Sequence, residues 1–296
     1  MAFFDSVALP AKPTQATIAP STWHAFLSLD FVKTPRGTVL KHSQHKGPLY
    51  VQKSFYPEGK AVAHTYLLHP PGGIVSGDCL HITANLAQDT HVLITTPGAG
   101  RVYRAREDKT QQQQVVQLNV GANSVMEWLP QETILYPNAY AQLENQINLA
   151  DDAKFIGWEI TCLGLPANQE SFGAGALDQR LRIYQNGRLN LFEKLIIDGH
   201  GADIKNANAG LKTYPVNGVM IAGPFLQEPN DLLNTLRQYC ADHTVLTGVS
   251  LVGDYLIIRS LHTDSEQMKQ VFIECWHAIR PELIGKQANA PKIWAT

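Results

Sequence analysis

From Trp23 onward, apolar and polar residues alternate in short runs, interrupted by Gly, Pro, Asn or Asp at roughly ten-residue intervals. His24 to Phe31, Gly37 to Leu40, Leu49 to Phe55, Val62 to Leu68 and Cys79 to Leu86 read as strands. So do Gln113 to Val120, Ser124 to Leu129, Gln142 to Leu149 and Lys154 to Leu163. A period of two sends alternate side chains to opposite faces, so each run can bury one face. Gly121-Ala122-Asn123 reads as a hairpin loop, and Asp151-Asp152 separates the next two runs. Asn186-Gly187, between Leu181 to Gln185 and Arg188 to Phe192, is the clearest hairpin signal, because a type I′ turn needs positive φ at both central residues. Residues 166–178 read as a long exposed loop.

Near the C-terminus the period changes from two to 3.6. Leu232, Leu233, Leu236, Tyr239 and Cys240 fall on one face of a helix over 229–242. Thr263-Asp264-Ser265-Glu266 reads as a capping box, with Met268, Val271, Phe272, Cys275 and Ile279 on one stripe behind it and Pro281 ending or bending the helix. Val245 to Val252 and Tyr255 to Ser260 form a further hairpin between the two helices. The expected fold is mainly β: stacked, largely antiparallel sheets in one domain over 22–296, with two C-terminal helices packed on them. Residues 1–21, rich in Pro, Ala and Thr, read as a flexible lead-in.

Composition narrows the function. The chain has 296 residues, a net charge of −2 and no Lys/Arg cluster, so it carries no nucleic-acid signature. No apolar run approaches the ~18 residues needed to span a bilayer, and no basic-then-apolar leader is visible. Cys79, Cys162, Cys240 and Cys275 lie far apart without a C-x-x-C, which argues against a disulfide scaffold or structural zinc site. A reduced, cytoplasmic protein is expected. Gly98-Ala99-Gly100 follows a strand, but neither the third glycine nor the acidic residue of a dinucleotide loop is present. P-loop and Gly-x-Ser-x-Gly motifs are missing too.

Two groups of residues remain as candidate chemistry. His42, His45, His64, His69, Cys79, His81 and His91 crowd one third of the chain, although no spacing matches a closed tetrahedral site. Asp78, Glu127, Glu132 and Glu159 interrupt apolar surroundings, where a carboxylate is costly unless paired or hydrogen-bonded. Arg101, Arg104 and Arg106 are the nearby candidate partners. Two such carboxylates across a cleft would make a hydrolase; otherwise they are structural, or contact a metal transiently.

The longer motifs resemble one family. His69-Pro70-Pro71-Gly72-Gly73-Ile74-Val75-Ser76-Gly77-Asp78 is similar to the signature of the UreD/UreH urease accessory proteins. Thr95 to Ala99 with Tyr103-Arg104, Trp128 to Ile134, Gly157-Trp158-Glu159 with Cys162-Leu163-Gly164, and Ile293 to Thr296 follow in order. The pattern departs at Ser76, at Gly100 where Thr is usual, and at Tyr136-Pro137-Asn138. The resemblance implies a non-enzymatic chaperone that binds apo-urease and UreF-like and UreG-like partners, with Ni²⁺ in transit and no tightly bound cofactor. On that reading Asp78, Glu132 and Glu159 are expected to line the nickel route. A β-rich hydrolase and a pure protein–protein adaptor are the alternatives.

Overall fold

The computed structural model describes residues 23–69, 72–198 and 202–295. The lead-in over 1–21 and the Pro70-Pro71 corner lie outside the described residues. The chain opens with β1 (Trp23–Thr34), β2 (Gly37–Lys46), β3 (Tyr50–Val51) and β4 (Val62–Leu68). Next come β5 (Asp78–Leu86), β6 (His91–Thr95), β7 (Gly100–Val102), β8 (Gln112–Val120), β9 (Val125–Trp128) and β10 (Thr133–Leu135). They are followed by β11 (Tyr140–Leu149), β12 (Lys154–Leu163), β13 (Ala176–Gln185) and β14 (Arg188–Asp198). The remainder is α1 (Ala202–Asn206), β15 (Val216–Gly223), α2 (Asn230–Ala241), β16 (Leu246–Val252), β17 (Tyr255–His262) and α3 (Ser265–Ile284).

The mainly-β expectation holds, but the largely antiparallel pairing does not: both sheets are mixed. One sheet has the order β14-β13-β11-β8-β5-β1-β2, the other β16-β17-β15-β12-β9-β6-β4-β3, with β10 attached to β12 and β7 to β10. From β4 to β13 the chain repeatedly crosses between the sheets, so Gly121-Ala122-Asn123 is a crossing from β8 to β9 and not a hairpin. Neighbours within a sheet are then a full coil apart in sequence and run parallel, as in β5–β8–β11–β13 and β4–β6–β9–β12. Antiparallel pairs close the ends: β1–β2, β13–β14 and β15–β17–β16. Asn186 (φ 50°) and Gly187 (φ 77°) make the β13–β14 turn as their sequence demanded. In the 166–178 segment the long loop is shorter than expected, because Phe172 is buried and β13 already begins at Ala176.

Parallel in-register strands stack like side chains about 4.8 Å apart. On the outer face of the first sheet, Asn148 Nδ2 donates to Asn119 Oδ1 (2.7 Å), Asn119 Nδ2 to Asn85 Oδ1 (2.7 Å) and Asn85 Nδ2 to Asp30 Oδ1 (2.8 Å). The inner face supplies one core with Leu27, Leu29, Phe31, Ile82, Leu118 and Ile147. A second core lies between the other sheet and the helices, built from Trp158, Met220, Leu236, Phe272 and Trp276. β12 is buried on both faces because it belongs to both cores.

The two C-terminal helices are where the sequence put them. Asp264, not Thr263, caps α3, its Oδ1 accepting from Glu266 N and Gln267 N; α3 continues through Pro281 to a left-handed Gly285. Gly218 lets α3 approach β15, since a β-carbon there would lie 2.4 Å from Met268 Sδ. The terminal Trp294 packs between Trp158 and Trp276, at 5.6 and 5.7 Å, and donates to Thr95 Oγ1. Among the described residues no helix is long and apolar enough to cross a membrane.

Candidate functional site

Strand alternation sends Thr65-side residues of β4, with Trp128, Glu159 and Thr161, into the space between the sheets, opposite Ile82, Gln114, Asn145 and Gln179. There the packing opens into three neighbouring cavities that share lining residues. The widest, about 470 Å³, is lined by Tyr50, His69, Gly72, Pro97, Arg101 and neighbours. Leu67, Thr96, Gly100 and Gln114 are shared between it and a central cavity of about 80 Å³. Glu159 and Gln179 are shared between the central cavity and a third of about 220 Å³, which reaches Glu193, Ile204, Asn217 and Arg259. Polar side chains mark the whole path, but no group of three His, Cys, Asp or Glu able to hold a metal forms among the described residues.

Of the three expected route residues, only Glu159 lines this path. Its Oε2 accepts from Gln179 Nε2 (2.8 Å), and Gln179 Oε1 in turn accepts from Thr161 Oγ1 (3.1 Å). Burial pushes the Glu159 carboxyl up to about 7; the Gln179 hydrogen bond opposes this and the Glu193 charge reinforces it. Asp78 is buried at the start of β5, where Oδ2 accepts from Val75 N (2.9 Å) and closes the turn beside His69. Glu132 is half-buried: its neighbours Gln131 and Thr133 face the central cavity, and its own carbonyl accepts from Gly100 N (2.8 Å). Burial first, then the Glu132 charge, raises the Cys162 thiol to about 11.

A raised carboxyl is a liability to the fold. Glu159 contributes nothing below its ordinary value of 4.5, and stability falls as pH rises from there through about 7. The full penalty is on the order of 3 kcal/mol above that range. Glu159→Gln is therefore expected to leave stability unchanged at pH 4 and to raise it by about 2–3 kcal/mol at pH 8. Urea unfolding at the two pH values checks this; equal shifts at both would remove the titration as the cause.

The histidines disperse into other roles. His64 Nε2 meets Glu58 Oε1 (2.7 Å) and His91 Nε2 meets Glu127 Oε1 (2.6 Å), while His81 lies exposed on the outer face of the first sheet. Glu127, fully buried, is held by Arg280 from α3 and by Trp276 Nε1 (2.7 Å), not by Arg101, Arg104 or Arg106. Burial alone would raise this carboxyl, but the hydrogen bond and charge of His91 and the charge of Arg280 bring it down to about 2. This cluster joins the second sheet to α3 and lies apart from the lining of the cavities. The residues the sequence did not single out are Asn145, Gln179, Glu193 and Arg259.

Comparison with known proteins agrees with these motifs. The family model described as UreD urease accessory protein matches residues 24–295. A urease accessory protein UreD of Marinomonas sp. (strain MWYL1) is 64% identical over 286 residues, spanning 94% of this chain and 92% of the relative. The protein of the same name from Hahella chejuensis is 36% identical, spanning 96% of this chain and 94% of the relative. That from Citrobacter koseri is 38% identical, spanning 93% and 92%.

Proposed function

This chain belongs to the UreD family of urease accessory proteins, with a role in urease maturation, and from that premise we propose that it delivers Ni²⁺ to apo-urease through the adjoining interior cavities. The observation that carries the reading is that three cavities between the two sheets adjoin one another through shared lining residues, with Glu159 lining two of them. Amide, hydroxyl and carboxylate oxygens hold a borderline cation weakly, so an ion meeting them can leave again. At Glu159 an arriving cation displaces a proton, because a carboxyl poised near 7 is part protonated at neutral pH. Asp78 supports the path from outside its lining, by fixing the turn beside His69 at the wide end.

Both ends of the path carry exposed apolar side chains, Tyr50 at the wide end and Ile204 at the other. Apolar surface at a mouth suits a face that a partner covers, here apo-urease at one end and a UreF-like protein with its UreG-like GTPase at the other. The chain acts in the cytoplasm as a scaffold and not as an enzyme. Co-expression with apo-urease and the UreF-like protein tests this. A stable complex is expected, and urease purified from those cells contains nickel only when this chain is present. Failure of soluble, folded chain to co-purify with either protein would sink the reading.

A further inference from the structure

Asn145 interrupts an inward-facing apolar row on β11, between Leu143 and Ile147. It is 9% exposed, and its Oδ1 is buried without any hydrogen-bond partner. The side chain lines the central cavity together with Glu159, Thr161 and Gln179. Gln179 does not relieve it: its Nε2 donates to Glu159 Oε2 and its Oε1 accepts from Thr161, and neither atom bonds Asn145 Oδ1. Glu159 lines the same cavity, with its Oε2 held by Gln179. An unpaired amide oxygen and a carboxylate thus line one space of about 80 Å³. That volume accommodates a small number of water molecules.

An unpaired buried acceptor carries a cost that leucine, nearly the same shape, would avoid. Leu143 and Ile147 flank it on its own strand, where leucine would pack, so the amide stands out as an acceptor aimed at a donor or a cation in the cavity. We propose that Asn145 Oδ1 and the Glu159 carboxylate form the resting place of a hydrated divalent cation inside the protein, the amide acting from the first sheet and the carboxylate from the second. The donors are oxygen only and one of them is neutral, which gives weak, exchangeable binding. Asn145 serves as a ligand or water-bridged ligand, and Gln179 positions Glu159 opposite it. The inference rests on the nickel-delivery reading and locates one stopping point within it.

The test uses the purified full chain, Ni²⁺ alone as probe, and equilibrium dialysis beside thermal unfolding. Asn145→Asp adds a second carboxylate and is expected to tighten Ni²⁺ binding by about tenfold, since charge count sets affinity at oxygen sites. The gain should vanish in Asn145→Asp combined with Glu159→Gln. Asn145→Leu should weaken binding while leaving the melting temperature unchanged or higher, a pairing that a structural role for the amide does not give. Unchanged Ni²⁺ affinity in Asn145→Asp, or a gain that survives Glu159→Gln, overturns the proposal. So does an Asn145→Leu chain that is more stable yet binds Ni²⁺ normally, which would leave the amide solvated by water only. These readouts do not involve urease, so they can fail while nickel delivery to urease through the chain still holds.

Discussion

Replacing Arg280 by methionine is expected to destabilise the protein by about 3–5 kcal/mol, the usual cost of breaking a buried ion pair from one side. The guanidinium is fully buried and spans two carboxylates. Nε and Nη2 each donate to Glu127 at 3.0 Å, and Nη1 and Nη2 donate to Glu58 at 2.7 and 2.8 Å. Nη1 also donates to the Gln287 carbonyl, beyond the end of α3. Methionine fills much of the volume but leaves Glu58 and Glu127 without their cation, with His64, His91 and Trp276 as remaining partners. Lysine restores charge yet cannot reach both carboxylates in the planar fork geometry, so Arg280→Lys should recover only part of the loss. Urea unfolding near neutral pH measures it, and a shift below 1 kcal/mol would mean the cluster contributes little to holding α3.

The same cluster sets the acid limit of the fold. Glu127, held at about 2 against an ordinary 4.5, contributes stability that is complete above 4.5 and lost as pH falls towards 2. The contribution is on the order of 3 kcal/mol. Glu159 acts with the opposite sign, so the two carboxyls give a rise in stability below 4.5 and a decline from there to about 7. Arg280→Met removes one support of the low Glu127 value and should move acid unfolding to higher pH.

Strands and helices were legible in the sequence because their periodicities depend only on which side chains are buried. The alternation in Gln142 to Leu149 and the stripe from Met268 to Ile279 say as much without any partner. Pairing direction was not legible. Gly121-Ala122-Asn123 has the composition of a hairpin loop, and nothing local distinguishes a turn within a sheet from a crossing to the other sheet. The asparagine ladder stayed hidden for a related reason: Asp30, Asn85, Asn119 and Asn148 are unevenly spaced, although the coil brings them into one row. Among the site residues, Glu159 was visible as a charge inside an apolar strand. Asn145 carried the same signal more faintly, as a neutral polar residue at an inward position. Glu127 was equally visible, but its partner Arg280 lies 153 residues away, so the sequence could not separate a structural carboxylate from a functional one.

Gly100→Phe is expected to reduce the nickel content of co-expressed urease to the level reached without this chain, while leaving complexes with its partners intact. Gly100 lies on β7 at the junction shared by the wide and central cavities. A β-carbon there would sit 3.4 Å from Thr133 Oγ1 and 3.9 Å from the Glu132 carbonyl, both tolerable contacts, and Gly100 is not among the positive-φ glycines. The backbone therefore accepts a side chain, and a ring that turns towards Thr133 fills the space the two cavities share. The residue is exposed, so the ring displaces water and not core packing, and the melting temperature should hold. Gly100→Ala is the control, adding a β-carbon without filling the passage, and should deliver nickel normally. Nickel per urease, measured beside the yield of co-purified complex, separates the two uses of this fold. A conduit loses nickel transfer with its complexes preserved, whereas an adaptor keeps both. Normal nickel content in urease matured with a stable Gly100→Phe chain would move the metal's route outside the protein.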